Sequence, residues 1–185
     1  MRYATYHNFV GRPVKSYDAP ECILTVEAAH ALSKVQNFLL SGKADPVNQQ
    51  SYSLKVYDCY RPTSSVMDFV VWAKNVSDTL MKAEFYPEVD KSDLFSAGYI
   101  AYHSGHSRGS TMDLTFVPMP AAPEPIYEPG DVLTSCHGPK DERWKDNMVD
   151  MGTGFDWSVQ SHSSSSSSRQ TSKPTNEQQA NKTST

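Results

Sequence analysis

The sequence predicts an α+β fold, with a small, mainly antiparallel sheet packed by helices. Three observations predict it. Apolar residues recur at helical spacing in two stretches, near residues 25–41 and 63–73. Two other stretches, at residues 51–62 and 111–116, alternate with a strand's period and carry aromatic or β-branched residues. Gly and Pro punctuate the intervals between them.

In the first helical stretch Ala28, Leu32, Val35 and Leu39 share one face. Thr25 is placed to cap its N-terminus, and Gly42 follows as a stop. In SYSLKVYDCYRP, Leu54, Val56, Asp58 and Tyr60 alternate with Lys55, Tyr57, Cys59 and Arg61. A strand is expected here, ended by Pro62, with Arg61 at its C-terminal edge. Val66, Phe69, Val70 and Ala73 then define a second helical face, capped by Thr63 or Ser64. The glycosylation sequon Asn75-Val76-Ser77 falls inside that expected helix. After a turn at SRGS, the stretch TMDLTF points Met112, Leu114 and Phe116 one way and Thr111, Asp113 and Thr115 the other. Asp113 is therefore expected on the polar face of a half-buried strand. Residues 117–131 are Pro-rich and read as an irregular loop, and residues 147–157 as the last ordered segment.

The chain has 185 residues, enough for one domain with a real core. Its Ser-rich polar end, residues 163–185, has a single aliphatic residue, Ala180, and is expected to be disordered, leaving residues 1–162 as the domain. A net charge of -4 gives no electrostatic footprint for nucleic acid or an anionic membrane. No apolar run is long enough to span a bilayer, and the start MRYATYHNF lacks a signal-peptide pattern, so a cytoplasmic location is the default expectation. Cys22, Cys59 and Cys136 match neither a disulfide framework nor a zinc ribbon, and are read as buried or semi-buried thiols.

A zinc hydrolase takes three protein ligands from His, Asp and Glu and leaves a position for water. The metal acidifies that water, a nearby carboxylate takes its proton, and a cation or N–H holds the developing oxyanion. In SGHSRGSTMD, residues 104–113, His106 and Asp113 flank a tight turn whose Gly109 suits a positive φ. Such a turn can bring both side chains over one point. The spacing alone also fits a surface His and an Asp bonded to the turn backbone.

The order Ser-x-His-x-x-Gly-x-x-x-Asp, followed by Leu114-Thr115, resembles the signature of the D-alanyl-D-alanine dipeptidases, zinc enzymes of the hedgehog and D,D-peptidase fold group. The stretch Tyr57-Asp58-Cys59-Tyr60-Arg61-Pro62 is similar to that family's Tyr-Asp-x-Tyr-Arg-Pro strand end. RYATYHNFVGRPVKSY and MGTGFD resemble two further family segments. The resemblance implies one Zn2+ per site held by His106 and Asp113, with Arg61 as the oxyanion cation. It implies a small dipeptide substrate whose free amine pairs with Asp156, and Tyr3 and Ser104 as further substrate contacts. Without the resemblance, Arg61 reads as a strand-end salt bridge and Asp156 as a solvated loop carboxylate.

The same resemblance exposes a gap. The family carries Glu-x-x-His after its MGT segment, supplying the base and the third zinc ligand, and nothing after MGTGFD in this chain matches it. The expectation is a domain incomplete at its C-terminus, with an exposed strand edge, weak zinc binding and impaired turnover. A truncated reading frame explains this; so does a non-catalytic dipeptide-binding protein of the same fold.

Overall fold

Residues 1–158 are described by the computed structural model. Their elements are α1 (Val26–Leu40), β1 (Tyr52–Asp58), α2 (Thr63–Lys74), the single turn α3 (Lys82–Phe85) and β2 (Asp113–Pro118). The α+β expectation holds at this level: two antiparallel strands and a few helices. The expected disordered tail lies outside the described residues. Among the described residues no helix is long and apolar enough to cross a membrane.

The first helix forms where the periodicity places it. The Thr25 hydroxyl accepts from the Ala28 N–H, satisfying one of the unpaired donors of the first turn. Gly42, at φ 72°, returns its N–H to the Leu39 carbonyl. The packed face differs by one residue from expectation. Leu39 is buried, but Val35 is 45% exposed. Gln36 faces β1 instead: its amide oxygen accepts from the Leu54 N–H at 2.8 Å, and its nitrogen donates to Ser53 Oγ at 3.0 Å. A side-chain amide thus pairs with backbone on the side of β1 away from β2.

The strands pair Tyr52 with Pro118, Leu54 with Phe116 and Val56 with Leu114, and an irregularity then sets Asp58 opposite Asp113. Two strand expectations need correction. β1 ends at Asp58, so Arg61 lies beyond the strand rather than at its edge. Alternation fails there because Tyr57, Asp58 and Cys59 are buried in succession. On β2 the inward side is that of Thr115 and Val117, which are buried, while Leu114 is 36% exposed. Asp113 therefore shares the inward face rather than a solvent-facing polar one. The second edge of the sheet is partly covered, because the Phe116 carbonyl accepts from the Val149 N–H at 2.8 Å.

The second helix buries Val66, Phe69, Val70 and Ala73 as expected, together with Ser65 and Trp72. Its N-cap is Pro62, with no side-chain cap, instead of Thr63 or Ser64. The Pro62 carbonyl accepts from Ser65 and Val66 N–H, and Ser65 Oγ donates to the Lys15 carbonyl. The helix ends at Lys74, so the sequon Asn75 is its C-cap and not an interior residue.

This helix packs into the main core with Tyr3, Val10 and Val14 from the N-terminal segment and with Met81, Phe85 and Tyr86 around α3. Each such side chain contributes about 1.5–3 kcal/mol when fully buried. The N-terminal segment is shaped by Asn8, which is fully buried. Its Nδ2 donates to the Thr5 and Arg12 carbonyls, and its Oδ1 accepts from Val10 and Gly11 N–H. Tyr3, whose carbonyl accepts from the Val14 N–H, is thereby held against α2.

The expectation of three thiols is also corrected. Cys22 and Cys59 form a disulfide with a Cα–Cα distance of 5.2 Å, and only Cys136 is free and buried. A separation of 37 residues gives no sequence sign of that pairing.

Candidate metal centre

The centre is built at the end of β1, at the start of β2 and on the 3-10 turn Gly105–Arg108 between them. Ser104 caps that turn, its Oγ accepting from the His106 N–H at 3.2 Å. Gly109 closes it at φ 74°, in the left-handed region that a glycine adopts without strain. The turn folds back as the motif spacing implies, and His106 and Asp113 meet.

The orientation of His106 follows from its partners. Its Nδ1 lies 2.9 Å from the Cys59 carbonyl oxygen. A carbonyl can only accept, so Nδ1 carries the proton and the lone pair of the neutral ring is on Nε2. Nε2 faces Asp113 Oδ1 at 3.4 Å. A backbone carbonyl on Nδ1 and an acceptor nitrogen turned toward a carboxylate is the arrangement in which metal-bound histidines are held. Asp113, together with the Cys59 carbonyl, raises the pKa of His106 above its ordinary value, against the opposing effect of burial.

Asp58, His106 and Asp113 form the group of potential ligands among the described residues. Asp58 differs from the other two. It is fully buried and its oxygens are already engaged. Oδ1 accepts from Tyr17 Oη at 2.7 Å and from the Cys59 N–H at 2.9 Å. Oδ2 accepts from Arg61 Nε at 2.9 Å and lies 2.8 Å from Arg61 Nη2. Asp58 also lies on the Nδ1 side of His106, at 3.4 Å, away from the Nε2 lone pair. Its geometry is that of an anchor for Arg61 and the imidazole rather than a third ligand beside Nε2.

Arg61 lies over the mutually edge-packed rings of Tyr3 and Phe69, each centroid 5.1 Å from its guanidinium carbon. Its Nη2 lies 3.9 Å from Asp113 Oδ2. Burial disfavours its charge, but Tyr3 and Asp58 more than offset that and keep its pKa above the ordinary arginine value.

The Tyr3 hydroxyl donates to Asp156 Oδ2 at 2.9 Å. Asp156 has φ 62°, a conformation that L side chains rarely adopt, so surrounding contacts hold it in place. Burial pushes its carboxyl up to about 6; the Tyr3 hydroxyl pulls the other way, and nearby Asp113 adds to the rise. Asp113 and Asp156 line one open groove of about 550 Å³, with Tyr57, Met148 and Phe155 among its walls.

Of the residues singled out in the sequence, His106, Asp113 and Arg61 converge directly, and Tyr3 joins Arg61 to Asp156. Ser104 belongs to the same turn but is not among the residues lining the groove. Sequence reading gave no role to Asp58 or Tyr17. Asp58 stood in the quoted strand-end motif, and its proximity to Arg61 was the available sign.

A model of the D-ala-D-ala dipeptidase family matches residues 1–119. The D-alanyl-D-alanine dipeptidase of Enterococcus faecium is 38% identical over 114 residues, that of Enterococcus faecalis 40% and that of Streptomyces coelicolor 36% over the same length. Each match covers 62% of this chain and 52% of the relative. The chain thus spans about half the length of the curated relatives it matches. Tyr3, Arg61, Ser104, His106 and Asp113 fall within the family match, and Asp156 lies beyond it.

Proposed function

The chain belongs to the D-ala-D-ala dipeptidase family, and we propose that it serves a zinc-dependent hydrolysis of D-alanyl-D-alanine or a similarly short dipeptide. The observation that carries this reading is the His106 Nε2 lone pair facing Asp113 Oδ1 at 3.4 Å, with the Arg61 guanidinium alongside. Zinc fits that pair. Ligands at about 2.0–2.2 Å in a tetrahedral shell stand roughly 3.3–3.6 Å apart. A nitrogen and a carboxylate oxygen are also donors that zinc accepts. Bound there, zinc would polarise the scissile carbonyl and make water acidic near neutral pH.

The other roles belong to the chain's own side chains. Arg61, fixed by Asp58 and the two rings, holds positive charge where the carbonyl oxygen becomes an oxyanion. Asp156 pairs with the substrate's free ammonium, and the Tyr3 hydroxyl fixes its orientation. A carboxylate at that end of the groove would favour short substrates that present an amine there. Ser104, a substrate contact by the family resemblance, lies outside the groove lining and caps the His106 N–H. The partner is a small dipeptide. We assign residues 1–162 to a hedgehog and D,D-peptidase-like domain.

No Glu-x-x-His follows the MGTGFD segment in these 185 residues, and no described residue takes the part of a third ligand beside Nε2. For this chain the reading is therefore weak zinc binding and low turnover, since losing a general base costs about 10²–10⁴ in rate. The same absence favours a second reading, a dipeptide-binding protein of this fold without catalysis. Calorimetry of the zinc-supplemented chain with D-alanyl-D-alanine, beside an assay for released D-alanine, tests both. Binding that is lost in Asp156→Ala supports the substrate site; slow release of D-alanine selects the enzyme, and binding without release selects the second reading. Absence of dipeptide binding at saturating zinc overturns both.

A further inference from the structure

We propose that the Cys22–Cys59 disulfide is a thiol-exchange site, open to small dithiol reductants at Cys22, whose cleavage releases the backbone that positions His106. The inference starts from the asymmetry of the bond. Cys22 is exposed, whereas Cys59 has no exposed surface. Cys22 is thus the half of the bond on the exposed side, and in this proposal the incoming thiolate attacks its sulfur. It forms a mixed disulfide there and expels Cys59 as the leaving thiolate. The second thiol of the reagent then attacks the mixed disulfide and frees Cys22. Two electrons and two protons pass to the protein, which ends with two thiols, and the dithiol ends as its own cyclic disulfide.

The buried half of the bond lies inside the centre. The Cys59 N–H donates to Asp58 Oδ1, and the Cys59 carbonyl accepts from His106 Nδ1. The backbone of this one residue thus touches the anchor of Arg61 and sets the tautomer of the imidazole. On the other side, the Ile23 carbonyl accepts from the Tyr60 N–H at 3.0 Å, and the Thr25 N–H donates to the Gly109 carbonyl at 2.8 Å. The segment carrying Cys22 therefore bridges the end of β1 and the motif turn. With the disulfide cut, these two backbone hydrogen bonds remain between it and them. The disulfide also closes a loop holding all of α1 and β1, so cleavage returns freedom to both flanks of the site.

Cys59 is in this account a positioning residue, not one that touches substrate. The bond can be cut without removing any side chain assigned to the centre, which leaves a site that is loosened but chemically complete. The inference rests on the metal reading only for its effect on affinity; the effect on the His106 ring is independent of it.

The test compares the full chain as oxidised protein and after treatment with dithiothreitol, with the reagent removed under anaerobic conditions. The ring-nitrogen NMR signals of His106 are followed, then zinc affinity by chelator competition, with far-UV circular dichroism as the check on folding. Reduction is expected to shift or broaden the Nδ1 signal and to weaken zinc binding about 10- to 100-fold, as for loss of a group that orients a ligand. Cys22→Ser is expected to match the reduced protein and to be indifferent to dithiothreitol. An unchanged His106 signal on reduction overturns the proposal. So does global unfolding of both the reduced chain and Cys22→Ser, which would make the bond a staple of the fold. If the oxidised chain binds no zinc, the metal reading fails, while the His106 signal still decides this inference.

Discussion

Asp58 stands opposite Asp113 across the two strands, and the guanidinium of Arg61 contacts the first at 2.8 Å and approaches the second at 3.9 Å. Like charges directly opposed on a strand pair repel. Arg61 offsets that repulsion, and its closer bond to the buried Asp58 fixes where its charge sits. Asp58→Asn keeps the shape but leaves Arg61 without its main counter-charge. Breaking a largely buried pair in this way is expected to cost on the order of 3 kcal/mol in urea unfolding. A loss below about 1 kcal/mol would mean that the pair behaves as an exposed one.

Tyr17 reaches the same carboxylate from the N-terminal segment. Tyr17→Phe removes one hydrogen bond to a buried charge, with an expected loss of about 1.5–3 kcal/mol. In the Asp58→Asn background the loss should shrink, because the acceptor is then neutral. A double-mutant cycle reads the difference directly, and strict additivity would argue against coupling through Asp58.

Asp156 supplies a pH signature. Its carboxyl is raised from 3.8 to about 6 in the folded chain. Between those values the folded state binds more protons than the unfolded one. Stability from this group is therefore present at low pH and declines as pH rises through that window. Asp156→Asn should flatten this part of the profile. The check is the urea midpoint at pH values from 4 to 7; parallel profiles for the two proteins would contradict the shift.

Tyr3→Phe removes the hydroxyl that opposes this rise. The Asp156 midpoint should move upward, and carboxyl NMR titration would show it. A midpoint that stays put or falls would mean that the hydroxyl does not hold the ionised form.

Local chemistry was the legible part of this molecule. Thr25, Gly42 and the buried face of α2 act within one helical turn of themselves, so spacing suffices to find them. The turn at Gly109 was legible for the same reason. Long-range demands were not. Gln36 displaces Val35 from the packed face because β1 offers the Leu54 N–H to an acceptor. The facing of β2 ran opposite to its apolar alternation, with Thr115 inside and Leu114 partly out, in a register that sets Asp113 opposite Asp58. The Cys22–Cys59 bond depends on the route of α1 and β1 between its ends, which no spacing rule encodes. Asp58 is harder to read because, besides its near neighbours Cys59 and Arg61, it is held by Tyr17 from a distant segment.

Zinc titration of the oxidised chain, compared with His106→Ala and Asp113→Ala under identical conditions, is the most direct test of the metal centre. The account predicts saturable binding that approaches about one zinc per chain, lost or strongly weakened in both variants while their circular dichroism is unchanged. Equal zinc binding by all three proteins would contradict it.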